Sequence, residues 1–266
     1  MLRSVFAKTL RDYGRGLLWW GSGIALLVVS ILAFYPSFRD LTMINEYIQA
    51  APEALLRAFI GDVGEMTSPR GYLTTELFFF VTPLLLLIFT IGFGSAAVAG
   101  EEERGTLDLL LAHPLPRWRL VLEKFAALLV MTLALVLVLW LALLIGAPMV
   151  DMEIGSDRLT AMGVSNFLLA LAFGALALAV GCASGRRGLS AGASSAVAVA
   201  TYLINAFAPS VEWLEPYRVL SPFYYYIGGD PLANGLNLGH AAVLLGLTVV
   251  LLTLTLFTFE RRDVAV

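Results

Sequence analysis

Six stretches of this chain, near Leu17 to Tyr35, Leu77 to Val98, Phe125 to Ile145, Val164 to Ala183, Leu189 to Ala208 and Ala241 to Phe259, are apolar almost without interruption. Each is about as long as a helix needs to cross a bilayer, while charged positions collect between them. Pro83 lies inside the second stretch, where neighbouring helices can absorb the lost backbone bond, so the pattern predicts a kink there rather than a break. The fourth and fifth stretches are divided by Gly185, Arg186, Arg187 and Gly188. Two adjacent arginines at mid-membrane would each cost about 2.5 to 3.5 kcal/mol, so a tight turn at the surface is expected. The pattern predicts an all-α integral membrane protein with six transmembrane helices, residues 1–266 forming one transmembrane domain.

The polar stretches have patterns of their own. Before the first span, Leu2, Val5, Phe6, Thr9, Leu10 and Tyr13 recur at helical spacing, with Arg3, Lys8, Arg11 and Arg15 between them. That predicts an N-terminal interfacial helix, followed by Trp19 and Trp20 at the membrane boundary. Such a helix serves either as an elbow against a cytosolic partner or as an anchor on anionic lipid. The outer loop 36–75 has helical patterns at Leu41, Ile44 and Ile48 and again after Pro52 and Glu53, which suit either a cap over a pathway or packing decoration.

Between the second and third spans lies the insert 100–119, GEEERGTLDLLLAHPLPRWR. Glu101, Glu102 and Glu103 sit where negative charge favours the start of a helix; Leu107, Leu110 and Leu111 form an apolar stripe; Pro114 and Pro116 end it. The product is a short amphipathic helix held between two spans. It reads either as a docking element, its acids toward an electropositive groove and its leucines in an apolar cleft of a partner, or as a solvated interfacial loop.

Composition agrees with the spans, with 59% hydrophobic and 14% charged residues and a mean hydropathy of +0.84, values outside the soluble range. The single Cys182 allows no intrachain disulfide. With both termini on one side, that side carries twelve of the 17 Lys and Arg residues and the other carries Arg39, Arg57, Arg70, Arg158 and Arg218. The positive-inside rule therefore places both termini and the insert in the cytoplasm.

The insert residues Gly100-Glu101-Glu102, Gly105-Thr106-Leu107, Leu110-Leu111, Pro114, Arg117 and Lys124 resemble the signature of type 2 ABC-exporter permeases. The likeness extends to Arg70-Gly71-Tyr72-Leu73, Leu220-Ser221-Pro222-Phe223 and Phe259-Glu260-Arg261-Arg262-Asp263. It implies a six-span subunit of a bacterial or archaeal plasma membrane, paired with a second permease as homodimer or heterodimer and with cytosolic ABC ATPase subunits. The insert would then contain a cytosolic coupling helix, with Glu101, Glu102, Arg104, Gly105, Thr106 and Leu107 as ATPase-coupling residues and Pro114 and Arg117 shaping its exit. The resemblance also implies re-entrant helices before the last span, and it makes export the expected direction.

The chain contains no GxxxxGK[ST] phosphate loop, so it is expected to bind no cofactor itself, with ATP and Mg on the partner ATPase. His113 and His240 form no metal-ligand pattern, no GxSxG or HExxH occurs, and no nucleic-acid partner is expected. Span interiors nearly free of charge argue against ion-coupled transport and suit an apolar or amphipathic substrate at the lipid boundary. Asn166 and Asn205 are expected to bridge helices, and Ala170/Gly174, Gly181/Gly185 and Gly188/Gly192 to mark close packing. In the last outer segment, Pro222, Phe223 and Tyr224 are a possible outer gate, or else part of an aromatic belt. The function expected is a permease subunit exporting a substrate by ATP hydrolysis in another polypeptide. The alternative is a membrane-embedded assembly or regulatory protein whose insert docks a non-ATPase partner.

Overall fold

The computed structural model describes residues 4–39, 68–107 and 116–262. Among them every regular element is helical, in the order α1 (Val5–Arg39), α2 (Pro69–Leu73), a π-helical turn (Thr74–Phe78), α3 (Val81–Ala97), α4 (Ala99–Glu103), α5 (Arg117–Met149), α6 (Ser156–Ser184), α7 (Arg187–Phe207), α8 (Pro222–Ile227), α9 (Pro231–Asn234) and α10 (Leu238–Arg261). Among the described residues six helical runs are long and apolar enough to cross a membrane, and each predicted stretch falls within one of them, except that the second extends one residue further, to Val98. The helical patterns predicted around Leu41 and Pro52, and the leucines Leu110 and Leu111, lie outside the described residues.

α6 is the hub. It packs along α3, α5, α7 and α10, and two-thirds of its most apolar window is buried inside the protein. Small residues allow this. Gly94 of α3 lies directly against the backbone of Gly174, and Gly174 rests on Thr90 and Leu128. Of the expected small-residue pairs, Gly174 and Gly181 face neighbouring helices, and Gly185 ends α6 in the left-handed region at φ 63°. Gly188 and Gly192 face open space instead.

α1 departs from the expected elbow. The basic N-terminal segment and the first span form one helix of 35 residues, about 50 Å long against a hydrocarbon core of about 30 Å. No proline interrupts its first half, Ser4 caps its start by accepting from Ala7 N at 3.1 Å, and Tyr13 and Trp20 stack on Phe93 and Phe89 of α3. Packing along α5, with these two ring contacts to α3, leaves no reason to bend.

The second span departs the other way, because it is broken rather than kinked. The break falls at Phe79 and Phe80, where the ring of Pro83 excludes a regular bond to the carbonyl four residues back. Two carbonyls freed there gain side-chain donors: Thr82 Oγ1 donates to Leu77 O at 3.1 Å and Tyr226 Oη donates to Phe78 O at 2.8 Å. Asn166 Nδ2 donates to Thr82 Oγ1 at 3.0 Å and ties α6 to the same point, which is the helix bridge expected of Asn166. Tyr226→Phe leaves the Phe78 carbonyl unmet in a buried place. It is expected to cost about 1–3 kcal/mol, read as a lower melting point in detergent, whereas Tyr225→Phe should leave melting unchanged.

Candidate functional site

Contacts between the helix ends place Ser4, the start of the insert, the α6–α7 turn and Arg262 at one end of the molecule, here called the basic end. There the three adjacent glutamates of the insert point in three directions. Glu101 accepts from Lys124 Nζ of α5 at 3.2 Å and from Thr106 Oγ1 at 2.5 Å. Glu102 receives the fork of Arg262 at 3.0 and 2.5 Å, just past the end of α10. Glu103 accepts from the backbone N–H of Arg187 at 2.8 Å, the first residue of α7, where an acid complements the positive end of a helix.

Two further contacts complete the tie. Arg262 Nη1 donates to Cys182 O of α6 at 3.1 Å, and Arg117 Nη1 donates to Arg262 O at 2.6 Å while its guanidinium lies over the Phe259 ring. The residues after α3 thus hold the ends of α5, α6, α7 and α10. α1 joins separately, since Glu123 of α5 accepts from Phe6 N at 3.0 Å.

The local backbone explains the directions. α4 continues α3 after a bend at Val98, and Gly105 at φ 65° stops it in a conformation that disfavours side chains. The insert is therefore not one helix beginning at the glutamates; Glu101 to Glu103 belong to the turn that closes the second span. Their carboxylates meet cations and amides of their own chain, and the side chains of Glu101 and Glu102 are only 14% and 16% exposed. Burial alone would raise the Glu101 carboxyl, but the Thr106 hydroxyl and the Lys124 ammonium outweigh it and hold it below its ordinary value.

Other expected site residues fall as follows. Leu107 is 1% exposed and lies in the chain's own core. Arg104 is exposed and folds back, its Nε donating to Gly100 O at 2.7 Å. Pro114 is outside the described residues. Lys124, Arg187, Arg262 and the Cys182 carbonyl complete the cluster without having been marked as site residues. Lys124 and the terminal Arg261-Arg262 pair carry a signal through the family resemblance, and Arg187 only as part of the expected surface turn.

At the opposite end, the segment before α10 forms two short helices, α8 and α9. Ser221 caps α8, accepting from Phe223 N at 3.1 Å and donating to Thr201 O at 2.7 Å. Pro222, Phe223 and Tyr224 diverge from there. Pro222 opens α8, Phe223 is buried against Phe173 and Tyr202, and Tyr224 lies with Tyr225 and His240 beneath the Arg218 guanidinium. Phe223 also lines an apolar pocket with Phe79, Pro83, Ala198 and Tyr202, at the break of the second span. Asn205 accepts from Arg218 Nε at 3.2 Å and ties α7 to this region.

Among the described residues no group of three or more His, Cys, Asp or Glu side chains could hold a metal. What the basic end can do is mechanical, because displacement of the insert pulls on four helix ends through charged and backbone contacts. Comparison with known proteins bears on what such a device belongs to. The chain is similar to the uncharacterized protein YhcI of Bacillus subtilis (strain 168), 24% identical over 209 residues, covering 68% of this chain and 66% of YhcI. It spans just under two thirds of the length of that curated relative. A family model described as ABC-2 family transporter protein matches residues 3–264. The chain belongs to the ABC-2 family of transporter proteins.

Proposed function

We propose that this chain is the permease subunit of an ABC exporter, driven by ATP hydrolysis in a separate cytosolic subunit and paired with a second permease copy, identical or related. The observation that carries the reading is the basic-end cluster, in which one short insert is tied by Glu101, Glu102 and Glu103 to the ends of α5, α7 and α10. A push on the insert from outside the membrane is then delivered to several spans at once.

On this reading the basic end faces the cytoplasm of a bacterial or archaeal cell, and ATP and Mg are held by the partner. The glutamates act within the chain, as the joint through which the insert moves the spans. Contact with the ATPase falls to Leu110, Leu111 and Pro114, while Arg104, Gly105, Thr106, Leu107 and Arg117 set the joint's shape. Substrate passes along apolar faces, and Pro222, Phe223 and Tyr224, beside the broken second span, form its outer boundary.

The test is co-purification in mild detergent from native membranes, comparing wild type with a Leu110→Asp/Leu111→Asp variant. An ABC ATPase is expected in stoichiometric amount with wild type and at background with the variant, both permeases staying monodisperse. Absence of any ATPase from wild type, or its full retention by the variant, overturns the reading.

A further inference from the structure

At the end of the molecule opposite the basic cluster, Arg70 pairs with Asp230 and Arg158 with Asp157. Arg218 has no carboxylate partner among the described residues, although Glu212 and Glu215 lie on its own segment. It is nonetheless held in place. Its Nε donates to Asn205 Oδ1 near the end of α7 at 3.2 Å, and its guanidinium lies 5.3 Å from the centre of the Tyr224 ring, which packs in turn on His240 of α10. The donors on both Nη nitrogens meet no acceptor among the described residues. A cation fixed between the ends of α7 and α10 is thus left with its fork unused.

A groove runs from this cation between the same two helices. α7 and α10 both pack on α6. Between them Ala172 and Leu176 of α6 form a floor, with Val197 and Thr201 of α7 and Leu247 and Leu251 of α10 as walls. Leu220 and Pro222 border the groove at the Arg218 end, and Ser221 Oγ between them donates to Thr201 O at 2.7 Å. Register joins groove and cation. Asn205 follows Thr201 by one turn, about 6 Å, on the same side of α7, and His240 precedes Leu247 by two turns on α10.

The groove suits hydrocarbon. Its walls are apolar apart from Thr201, whose hydroxyl donates to Val197 O at 2.7 Å. Its rim faces outward, with Val197 43% and Leu220 72% exposed, and the exposed rings of Trp213 and Tyr217 lie on the segment that carries Arg218. Such rings favour a membrane boundary. The space, about 520 Å³ with its open side, falls within the range of small-molecule sites, about 300–1,000 Å³.

We infer that Arg218 and this groove bind an anionic phospholipid of the adjoining leaflet, its phosphate on the two Nη groups and one acyl chain between α7 and α10. Charge complementarity selects the head, because a planar guanidinium fork matches phosphate oxygens. Spacing selects a lipid over a free anion, since the single turn between Asn205 and Thr201 is the order of the glycerol link between a phosphate and its chains. The inference goes beyond the transport reading and does not depend on it.

The test uses the purified full chain in phosphatidylcholine nanodiscs that contain a trace of phosphatidylglycerol or of phosphatidylcholine with a diazirine in one acyl chain. Adducts are mapped by mass spectrometry after illumination. One basic side chain near an anionic headgroup is worth about fivefold in affinity, so the glycerol lipid is expected to label Leu247 and Leu251 about fivefold more than the choline lipid. Leu141 and Ile145, exposed on α5 toward the same end, should label equally with both. Arg218→Gln should abolish the preference and Arg218→Lys should retain it. Val197→Trp, which fills the groove from its rim, should remove adducts at Leu247 and Leu251 with either lipid. Equal labelling of the groove by the two lipids in wild type, an undiminished preference in Arg218→Gln, or undiminished adducts in Val197→Trp would each overturn the assignment. So would loss of the preference on adding inorganic phosphate at constant ionic strength, which would give Arg218 a free anion, or a groove without adducts because a second copy fills it. ATPase recovery by the same protein is a separate readout, so failure of the lipid site leaves the transport reading intact.

Discussion

Gly94→Ala is expected to destabilise the protein by about 2–3 kcal/mol or more, a single methyl group having the effect of a deleted core side chain. A β-carbon at Gly94 would fall inside the contact distance of the Gly174 carbonyl oxygen, 3.1 Å from the Leu178 nitrogen and 3.1 Å from the Ala177 β-carbon. The first two are backbone atoms of a long helix and cannot step aside. The only relief is to move α3 away from α6, which loosens the contact that organises the bundle. Lipid supplies no hydrophobic drive to press the helices back together, so close packing is the main source of cohesion. Gly92→Ala is the control, since that position faces open space; it is expected to melt like wild type or slightly higher. The measurement is SDS-induced unfolding in mixed micelles, and a Gly94→Ala variant as stable as wild type would show that the two helices do not approach this closely.

Arg262→Ala is expected to cost about 3 kcal/mol, through the charge it leaves behind rather than through the bonds it removes. Without the guanidinium, Glu102 keeps a largely buried negative charge and Cys182 O loses its donor. The sign of a second change makes the argument specific. Adding Glu102→Gln to Arg262→Ala removes the stranded charge and is expected to restore about 1–2 kcal/mol, although Glu102→Gln alone destabilises wild type. Additive losses in the double variant would show that the pair carries no coupling. Amide exchange should respond in the same pattern, speeding up over Val98 to Arg104 in Arg262→Ala and recovering in the double variant.

The six spans were legible because the membrane leaves few alternatives: a chain crossing lipid must satisfy its backbone internally and present apolar side chains, and both demands are written into local runs of sequence. The features hidden from local sequence share a cause. Three consecutive glutamates before a leucine stripe look like the start of an exposed helix to any local rule, and nothing nearby says that Glu102 is matched by Arg262, 160 positions away. Gly94 carries no signal because one glycine in an apolar run has no spacing to mark it, whereas Gly188 and Gly192 have the expected four-residue interval and face open space. Pro83 marks a disturbance in the sequence, but its effect falls upstream, where the Phe78 carbonyl is met by a tyrosine 148 positions further on.

The pairing of Glu102 with Arg262 also has a history, because a ribosome makes these residues in order. When the insert and the second and third spans have entered the membrane, the cation that Glu102 needs has not been translated, and the joint stays open until α10 is in place. A nascent chain interrupted before Arg262 would carry all the hydrophobic segments that insertion machinery recognises and still expose an unmatched acid and an unmet carbonyl at its surface. Those are marks that membrane proteases and chaperones can read, so α10 both closes the bundle and hides them.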